Sequence, residues 1–273
     1  MSSKRKGQEM EKKYPVSVCI VAFNEEKHIG DCLKALSWAD DIIVIDSFSG
    51  DSTVRICRQF TPRVVQREWK GYLDQKTYAL GLAKNEWVLL MDADEILTGE
   101  AVCEILSEIE HDEGIFDGYC LRRKLYYMGR WLRHGEWYPD YKLRLFRESK
   151  ARIGGMEPHD SIKVESGRVK RLKGEMLHYS YENIEDQMNT LNRYSSISAA
   201  QMFERGVKFP FARMIFHPAW RFALAYFLRG GFLDGMPGFV VAWVNSYYVF
   251  LKYAKLKELY LDGKNSAGSG GAA

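Results

Sequence analysis

The sequence predicts an α/β fold, a mixed and mainly parallel sheet flanked by helices, followed by a C-terminal helical extension. Three observations carry this. Between Tyr14 and Met91, strand-like apolar runs alternate with helix-periodic segments, which implies parallel strands joined by right-handed crossovers. Beyond Ile109 the rhythm changes to strands of more antiparallel character. From residue 182 the chain turns helical and strongly aromatic.

The bulk properties fit that class. A chain of 273 residues, 46% hydrophobic and 27% charged, can bury the core of one large domain or two small ones. This is an ordinary globular composition, not that of a disordered or fibrous chain. A net charge of +3 gives no case for nucleic acid as a partner, and none is expected. The five cysteines form no CxxC pair, which favours a reducing compartment. Residues 1–13 are charged and lack the apolar centre of a signal peptide, so a cytoplasmic location is expected.

Taken in order, residues 1–13 read as a flexible leader and residues 16–22 as a buried strand closed by Phe23-Asn-Glu-Glu26. Residues 28–36 have helical spacing at Ile29, Cys32, Leu33 and Leu36. The pattern repeats with a strand at 41–45, a loop from Asp46 to Asp51 and a helix over 52–60 opened by a Ser/Thr/Asp cap signal. A short strand at 63–66 and a helix over 72–83 precede the strongest strand, Trp87 to Met91. Thr98 is placed to cap the helix whose apolar positions are Val102, Ile105, Leu106 and Ile109. Strands follow at 118–125 and 141–146, the second with Leu143 and Leu145 on one face and Lys142 and Arg144 on the other. Residues 162–164 and 169–172 bracket Gly167 as a hairpin. The helical stretch 182–262 is expected to break at Phe209-Pro210, Gly230-Gly231 and Met236-Pro-Gly238, and 263–273 to be a disordered Gly/Ser/Ala tail.

Three loops leave three parallel strands on one side: Phe23-Asn-Glu25, Asp46 to Asp51, and Asp92-Ala-Asp94. Open α/β sheets place their ligands at that end. Asp92 and Asp94 suit a hard divalent cation whose other positions are filled by diphosphate oxygens. Their alternative role, capping the next helix, fits Thr98 better. Asp46 can hydrogen-bond ribose hydroxyls or a base edge, or cap the Ser52 helix together with Asp51. Lys76 either projects its charge at a diphosphate or lies on a solvated helix face.

Together, Val21-Ala-Phe-Asn-Glu-Glu26, Asp46-Ser-Phe-Ser-Gly-Asp-Ser-Thr53 and Asp92-Ala-Asp-Glu95 resemble family 2 glycosyltransferases of the GT-A fold. The resemblance implies a Rossmann-like GT-A sheet and a UDP-sugar donor. It puts Val21, Phe23 and Glu25 along the base and ribose, Asp46 on uracil or ribose and Lys76 near the pyrophosphate. Asp92 would meet ribose or metal, and Asp94 a divalent metal, Mn2+ or Mg2+. Three further motifs, Trp137-Tyr-Pro-Asp-Tyr-Lys-Leu-Arg-Leu-Phe-Arg147, Glu157-Pro-His-Asp160 and Gly174-Glu-Met-Leu-His-Tyr-Ser-Tyr181, resemble bacterial lipopolysaccharide inner-core β-glucosyltransferases.

That likeness implies inverting transfer of a hexose, glucose, to an inner-core acceptor. Asp160 would be the base where relatives carry glutamate, or else an ordinary loop carboxylate, with Glu157 in reserve. His178 would complete the metal shell, or else be a histidine hydrogen-bonded near the sheet. The chain then divides into a leader (1–13), a nucleotide-sugar half (14–110), an acceptor half of the same domain (111–181), a helical and membrane-surface region (182–262) and a tail (263–273).

Basic residues thicken from Arg122 to Lys173, which an anionic lipid-linked saccharide acceptor would account for, as nucleic acid or simple solvated strand faces also would. Arg144 is the first choice among them for acceptor contact. The longest apolar stretch, 239–251, falls short of the roughly twenty residues a bilayer span needs. Arg213, His217 and Arg221 recur every four residues beside Phe216, Trp220, Leu224 and Phe227. That stripe suits a helix lying on a membrane surface or one packed on a core. The expected location is peripheral, on the cytoplasmic face of the inner membrane. The competing functions are transfer to polyprenyl phosphate or another surface polysaccharide, and a non-catalytic nucleotide-sugar or membrane-binding protein.

Overall fold

The computed structural model describes residues 12–156, 159–181, 183–208 and 211–268, without the side chains of residues 155, 156, 159, 160 and 263–268. The chain forms two compact units. One comprises residues 1–121, 142–155 and 160–176, and the other residues 122–141, 156–159 and 177–273.

The first unit opens with β1 (Tyr14–Ala22), α1 (Ile29–Ala35), β2 (Ala39–Asp46), α2 (Thr53–Cys57), β3 (Val64–Gln66), α3 (Tyr72–Leu80) and β4 (Trp87–Asp92). The three predicted strand–helix rounds are present. The second helix is shorter than expected because Thr61 turns the chain back toward the sheet, its Oγ1 donating to the Ile42 carbonyl at 2.7 Å. β1 lies between β2 and β4 and is parallel to both, with Val21 opposite Ile45 on one side and Asp92 on the other. It is buried on both faces from Val16 onward, which is why it reads as a continuous apolar run. Ile20, Leu89 and Met91 pack with Ile29, Leu33 and Ile105 on one face, while Cys19, Ile43, Leu90 and Phe146 pack on the other.

After β4 come β5 (Glu95–Leu97), α4 (Gly99–Glu110), β6 (Gly118–Tyr127), β7 (Arg130–Trp131), β8 (Asp140–Arg147), β9 (Ala151–Met156), β10 (His159–Val164) and β11 (Val169–His178). Thr98 caps α4 as expected, its side chain accepting from the Ala101 amide. The main sheet runs β3-β2-β1-β4-β8-β6-β11-β5, with β7 paired to β6 and β8 antiparallel to β4. The parallel half and the more antiparallel half are therefore as predicted.

The hairpin about Gly167 is not formed. The turn exists, with Gly167 at φ +69°, but β10 pairs with β9 in a separate two-stranded sheet and β11 joins the main sheet beside β6. The cause is remote in sequence. β11 passes so close to α4 that a Cβ on Gly174 would lie 2.3 Å from Ala101 Cα. The amides of Lys173 and Gly174 both donate to the Glu104 carboxylate, at 2.8 and 2.7 Å.

The second unit contains α5 (Ile184–Glu204), α6 (Phe211–Ala223), a π-helical turn at Leu224–Leu228, a 3-10 turn at Gly231–Asp234 and α7 (Gly235–Gly268). Asn183 caps α5 by accepting from the Asp186 amide. Ala199, Val249, Tyr253 and Leu256 form the core where α5 meets α7. The predicted break at Gly230-Gly231 is present, with Gly230 and Gly235 at φ +70° and +65°. Met236-Pro-Gly238 does not break a helix but starts one. Pro237 lies in the first turn of α7, where its missing N–H would have had no intrahelical acceptor.

The backbone of α7 includes residues 263–268, while 1–11 and 269–273, most of the expected leader and the end of the expected tail, lie outside the described residues. Among the described residues no helix is long and apolar enough to cross a membrane. The fully buried Asp234 accepts from the amides of Arg133 and His134, at 2.9 and 2.8 Å. Glu136 accepts from Arg221 Nε at 2.8 Å and from Asn245 at 2.9 Å. These contacts bind the segment between β7 and β8 to the helices.

Candidate active site

Because β2, β1 and β4 are neighbours, the three loops that follow them emerge side by side. Two of these loops are bonded into one wall. The Asn24 amide donates to Ser49 Oγ at 2.8 Å, and Gly50 N donates back to Asn24 Oδ1 at 2.9 Å. Glu25 N donates to Thr53 Oγ1 at 2.8 Å, while Glu26 N donates to Asp51 and Ser52 N to Glu26. Asn24 and Phe48 take positive φ at the bends, and Phe23 and Phe48 stand exposed there. Val21 is buried below, in the strand.

Asp46 is fully buried at the end of β2, and its carboxylate accepts from Ser49 N at 3.0 Å and Gln66 Nε2 at 3.2 Å, as well as from Ser49 Oγ. Asp51, one residue ahead of the α2 cap position Ser52, accepts from Thr53 N at 2.9 Å, while Ser52 makes no side-chain cap bond.

Asp92, the last residue of β4, and Glu95 beyond it belong to a largely buried network of four charges. Asp92 has Oδ1 3.2 Å from Lys76 Nζ and Oδ2 2.7 Å from Arg144 Nη2. The same Arg144 nitrogen is 2.5 Å from Oε1 of the fully buried Glu95, whose Oε2 accepts from the Asp92 amide at 3.1 Å. Two cations thus balance two carboxylates. Burial by itself pulls the Arg144 guanidinium down, but Glu95 and Asp92 more than reverse this and hold it above its ordinary value. Lys76 is buried and aimed at Asp92, so it does not lie on a solvated helix face.

Arg144 departs from expectation. It is 6% exposed and holds the acids on either side of Asp94, where the sequence suggests an arginine open to an acceptor. The sequence also leaves Glu95 without a role. The signal for both was an arginine set among Leu143, Leu145 and Phe146 in a chain whose apolar β4 strand ends in three acids. A charge so enclosed requires a partner. Cys32 lies beneath, its Sγ 4.0 Å from the Asp92 carbonyl oxygen. Burial, then Glu95, Asp94 and Asp92, push its thiol well up, so it remains neutral.

Asp94 is half-buried at the mouth of the strand. Among the described residues no group of three or more His, Cys, Asp or Glu side chains could hold a metal ion unaided. The donors fit a hard cation that arrives with its substrate, since Mg2+ uses one or two carboxylates and completes its shell with phosphate oxygens. His178 is the buried last residue of β11, in the second unit. Asp160 lies on β10, but its side chain, like all of Glu157, is outside the described residues.

The acceptor-type motifs of the second unit largely pack on one another. Trp137 and Tyr181 have ring centroids 5.8 Å apart, and Arg123 meets Asp140 at 2.6 Å. Tyr126, Trp131 and Tyr179 form a mutual cluster with centroids 5.0 to 5.4 Å apart.

Residues 17–166 match the pattern of Glycosyl transferase family 2. The chain is 30% identical over 250 residues to the lipopolysaccharide core biosynthesis glycosyltransferase LpsC of Rhizobium meliloti, covering 89% of this chain and 92% of that protein. It is 32% identical over 270 residues to an uncharacterized glycosyltransferase of Rickettsia typhi, covering 92% and 89%. Among solved structures it is distantly similar to S. aureus TarS 1–349 in complex with UDP-GlcNAc, at 15% identity, 92% coverage of each chain and a TM-score of 0.48.

Proposed function

The chain belongs to glycosyl transferase family 2 and is a glycosyltransferase, and from that premise we propose that it transfers a hexose, glucose, from a UDP-sugar to a lipopolysaccharide inner core with inversion at the anomeric carbon. The observation that most supports the acceptor is the extent of the likeness to the Rhizobium core enzyme. It covers 89% of this chain and so is not confined to the nucleotide-binding half.

In this reading Val21, Phe23 and Glu25 line the base and ribose, Asp46 reads uracil or ribose, and Lys76 faces the diphosphate. Asp92 serves the ribose, because Lys76 and Arg144 already share its carboxylate. Asp94 and His178 would hold Mn2+ or Mg2+, with diphosphate oxygens in the remaining positions. When bound, the cation supplies neutralisation of charge on the leaving diphosphate. Asp160 accepts the proton of the acceptor hydroxyl as that oxygen bonds to the anomeric carbon. The bond from that carbon to the diphosphate oxygen breaks, and UDP leaves with its electron pair. The acceptor is an anionic, lipid-linked saccharide met at the cytoplasmic face of the inner membrane.

Asp160→Asn is expected to leave UDP affinity near that of the parent, by calorimetry, and to lower turnover by roughly two orders of magnitude or more. A fully active variant would move the base elsewhere. EDTA is expected to stop transfer and Mn2+ or Mg2+ to restore it, whereas full activity in chelator would remove the metal from the scheme. The decisive test is a screen of UDP-hexoses against truncated core acceptors, with the product linkage read by NMR. Transfer to polyprenyl phosphate in place of core would overturn the acceptor assignment.

A further inference from the structure

Within the second unit, α6, α7 and the turns between them form one extended apolar surface. α6 buries none of its residues. Phe216 and Trp220, one helical turn apart, are 69% and 60% exposed. The π-helical and 3-10 turns then expose Phe227, Leu228, Phe232 and Leu233. α7 is apolar on two faces. Val241, Val244, Val249 and Leu256 are buried on one, while Met236, Phe239, Trp243, Tyr247 and Phe250 stay exposed at spacings of three and four, a stripe about 20 Å long. Phe222 joins the parts, its ring 5.8 Å from both Phe239 and Trp243.

A soluble chain rarely exposes so large a contiguous apolar patch without a partner. The surrounding charge indicates which partner. From Arg205 to Leu233 the chain carries Arg205, Lys208, Arg213, Arg221 and Arg229 and neither Asp nor Glu. Arg221 and Arg229 are both paired with Glu136, but Arg205, Lys208 and Arg213 are exposed. Only the exposed Glu204 and the buried Asp234 flank this stretch, so a second copy of this face would bring a mostly basic rim against a mostly basic rim, which disfavours self-association. An anionic bilayer answers both features, because acyl chains accept the aliphatic side chains, headgroups accept the arginines, and Trp and Tyr settle at the boundary.

We propose that the α6–α7 elbow is a docking face for an anionic bilayer, with Leu228, Phe232, Leu233 and Met236 at its leading edge and Arg213 on its headgroup side. This extends the membrane stripe readable in α6 to a surface built mostly from the turns and α7. It rests on the proposed site of action at the inner membrane, but it is measured by binding alone.

The test is sedimentation of the full chain with vesicles of phosphatidylcholine, with and without phosphatidylglycerol, at low and high salt. The wild type should bind the phosphatidylglycerol vesicles, more weakly at high salt and weakly to phosphatidylcholine alone. Leu228→Glu combined with Leu233→Glu should lower vesicle partition about tenfold or more, with melting temperature and transfer to a delipidated core acceptor unchanged. Ile115→Glu, at an exposed position of the first unit, should bind as the wild type does. Equal binding by the double variant, or no salt-sensitive binding by the wild type, would overturn the proposal. So would a wild-type dimer in light scattering that the double variant dissolves while vesicles go unbound. Loss of transfer with vesicle binding intact would count against the reaction, not the docking face. Should the double variant fail to fold, the lipid and salt dependence of the wild type decides.

Discussion

Asp94→Asn is expected to lower transfer by about two orders of magnitude or more while leaving the melting temperature within a few degrees of the parent. Asp92 and Glu95 share Arg144, and Asp92 also meets Lys76, so both carboxylates hold the strand end together. Asp94 stands half-buried between them, and the amide keeps its shape while removing its charge. If Asp94 carries the cation, the loss appears in kcat at saturating donor, since neutralising a departing diphosphate is worth several kcal/mol in the transition state and each ~1.4 kcal/mol is tenfold in rate. A variant within a few-fold of wild type in saturating Mn2+ would assign the metal to other groups.

Arg144→Met should act on the fold as well as on turnover. Removing one partner of a buried charge network strands the others, at a typical cost of about 3–5 kcal/mol. Here the stranded groups are Glu95, which is wholly buried, and Asp92, which keeps Lys76. A urea titration should show the midpoint fall. Combining Arg144→Met with Glu95→Gln should recover part of the loss, because the second change removes the uncompensated charge, and a double-mutant cycle measures how much. An unchanged midpoint in the single variant would mean that the network contributes little to stability.

The strand–helix alternation and the α4 cap were readable because they depend on local spacing, and the structure has both. The three site loops were readable for the same reason, since a strand end in a parallel sheet fixes where its loop emerges. What depends on distant contacts was not. Spacing places Lys76 on a helix but does not say which side of that helix meets the sheet. Alternation in β8 separates Arg144 from Leu143 without showing that both faces of the strand are covered, which requires knowing that β4 lies beside it. The turn at Gly167 was a sound local signal, while the pairing that followed was settled by Gly174 meeting Ala101 far away in the chain. Pro237 carries the same residue signal whether it ends a helix or begins one. α7 hid its exposed stripe because apolar residues on two opposite faces cancel in any helical periodicity.

The adjacency of β2, β1 and β4 sets a fixed ruler. Neighbouring strands are held about 4.8 Å apart by backbone hydrogen bonds, so the ends of β2 and β4, which carry Asp46 and Asp92, are separated by two such intervals, roughly 10 Å. Side-chain substitutions can change what each end of the ruler grips, but they leave its length alone. If Asp46 and Asp92 meet the donor as proposed, selection among donors comes from the chemistry at the two ends and from the sugar beyond them. Altered donor preference should therefore be sought at the strand ends and in the loops beyond them, not in the strand interiors that space them.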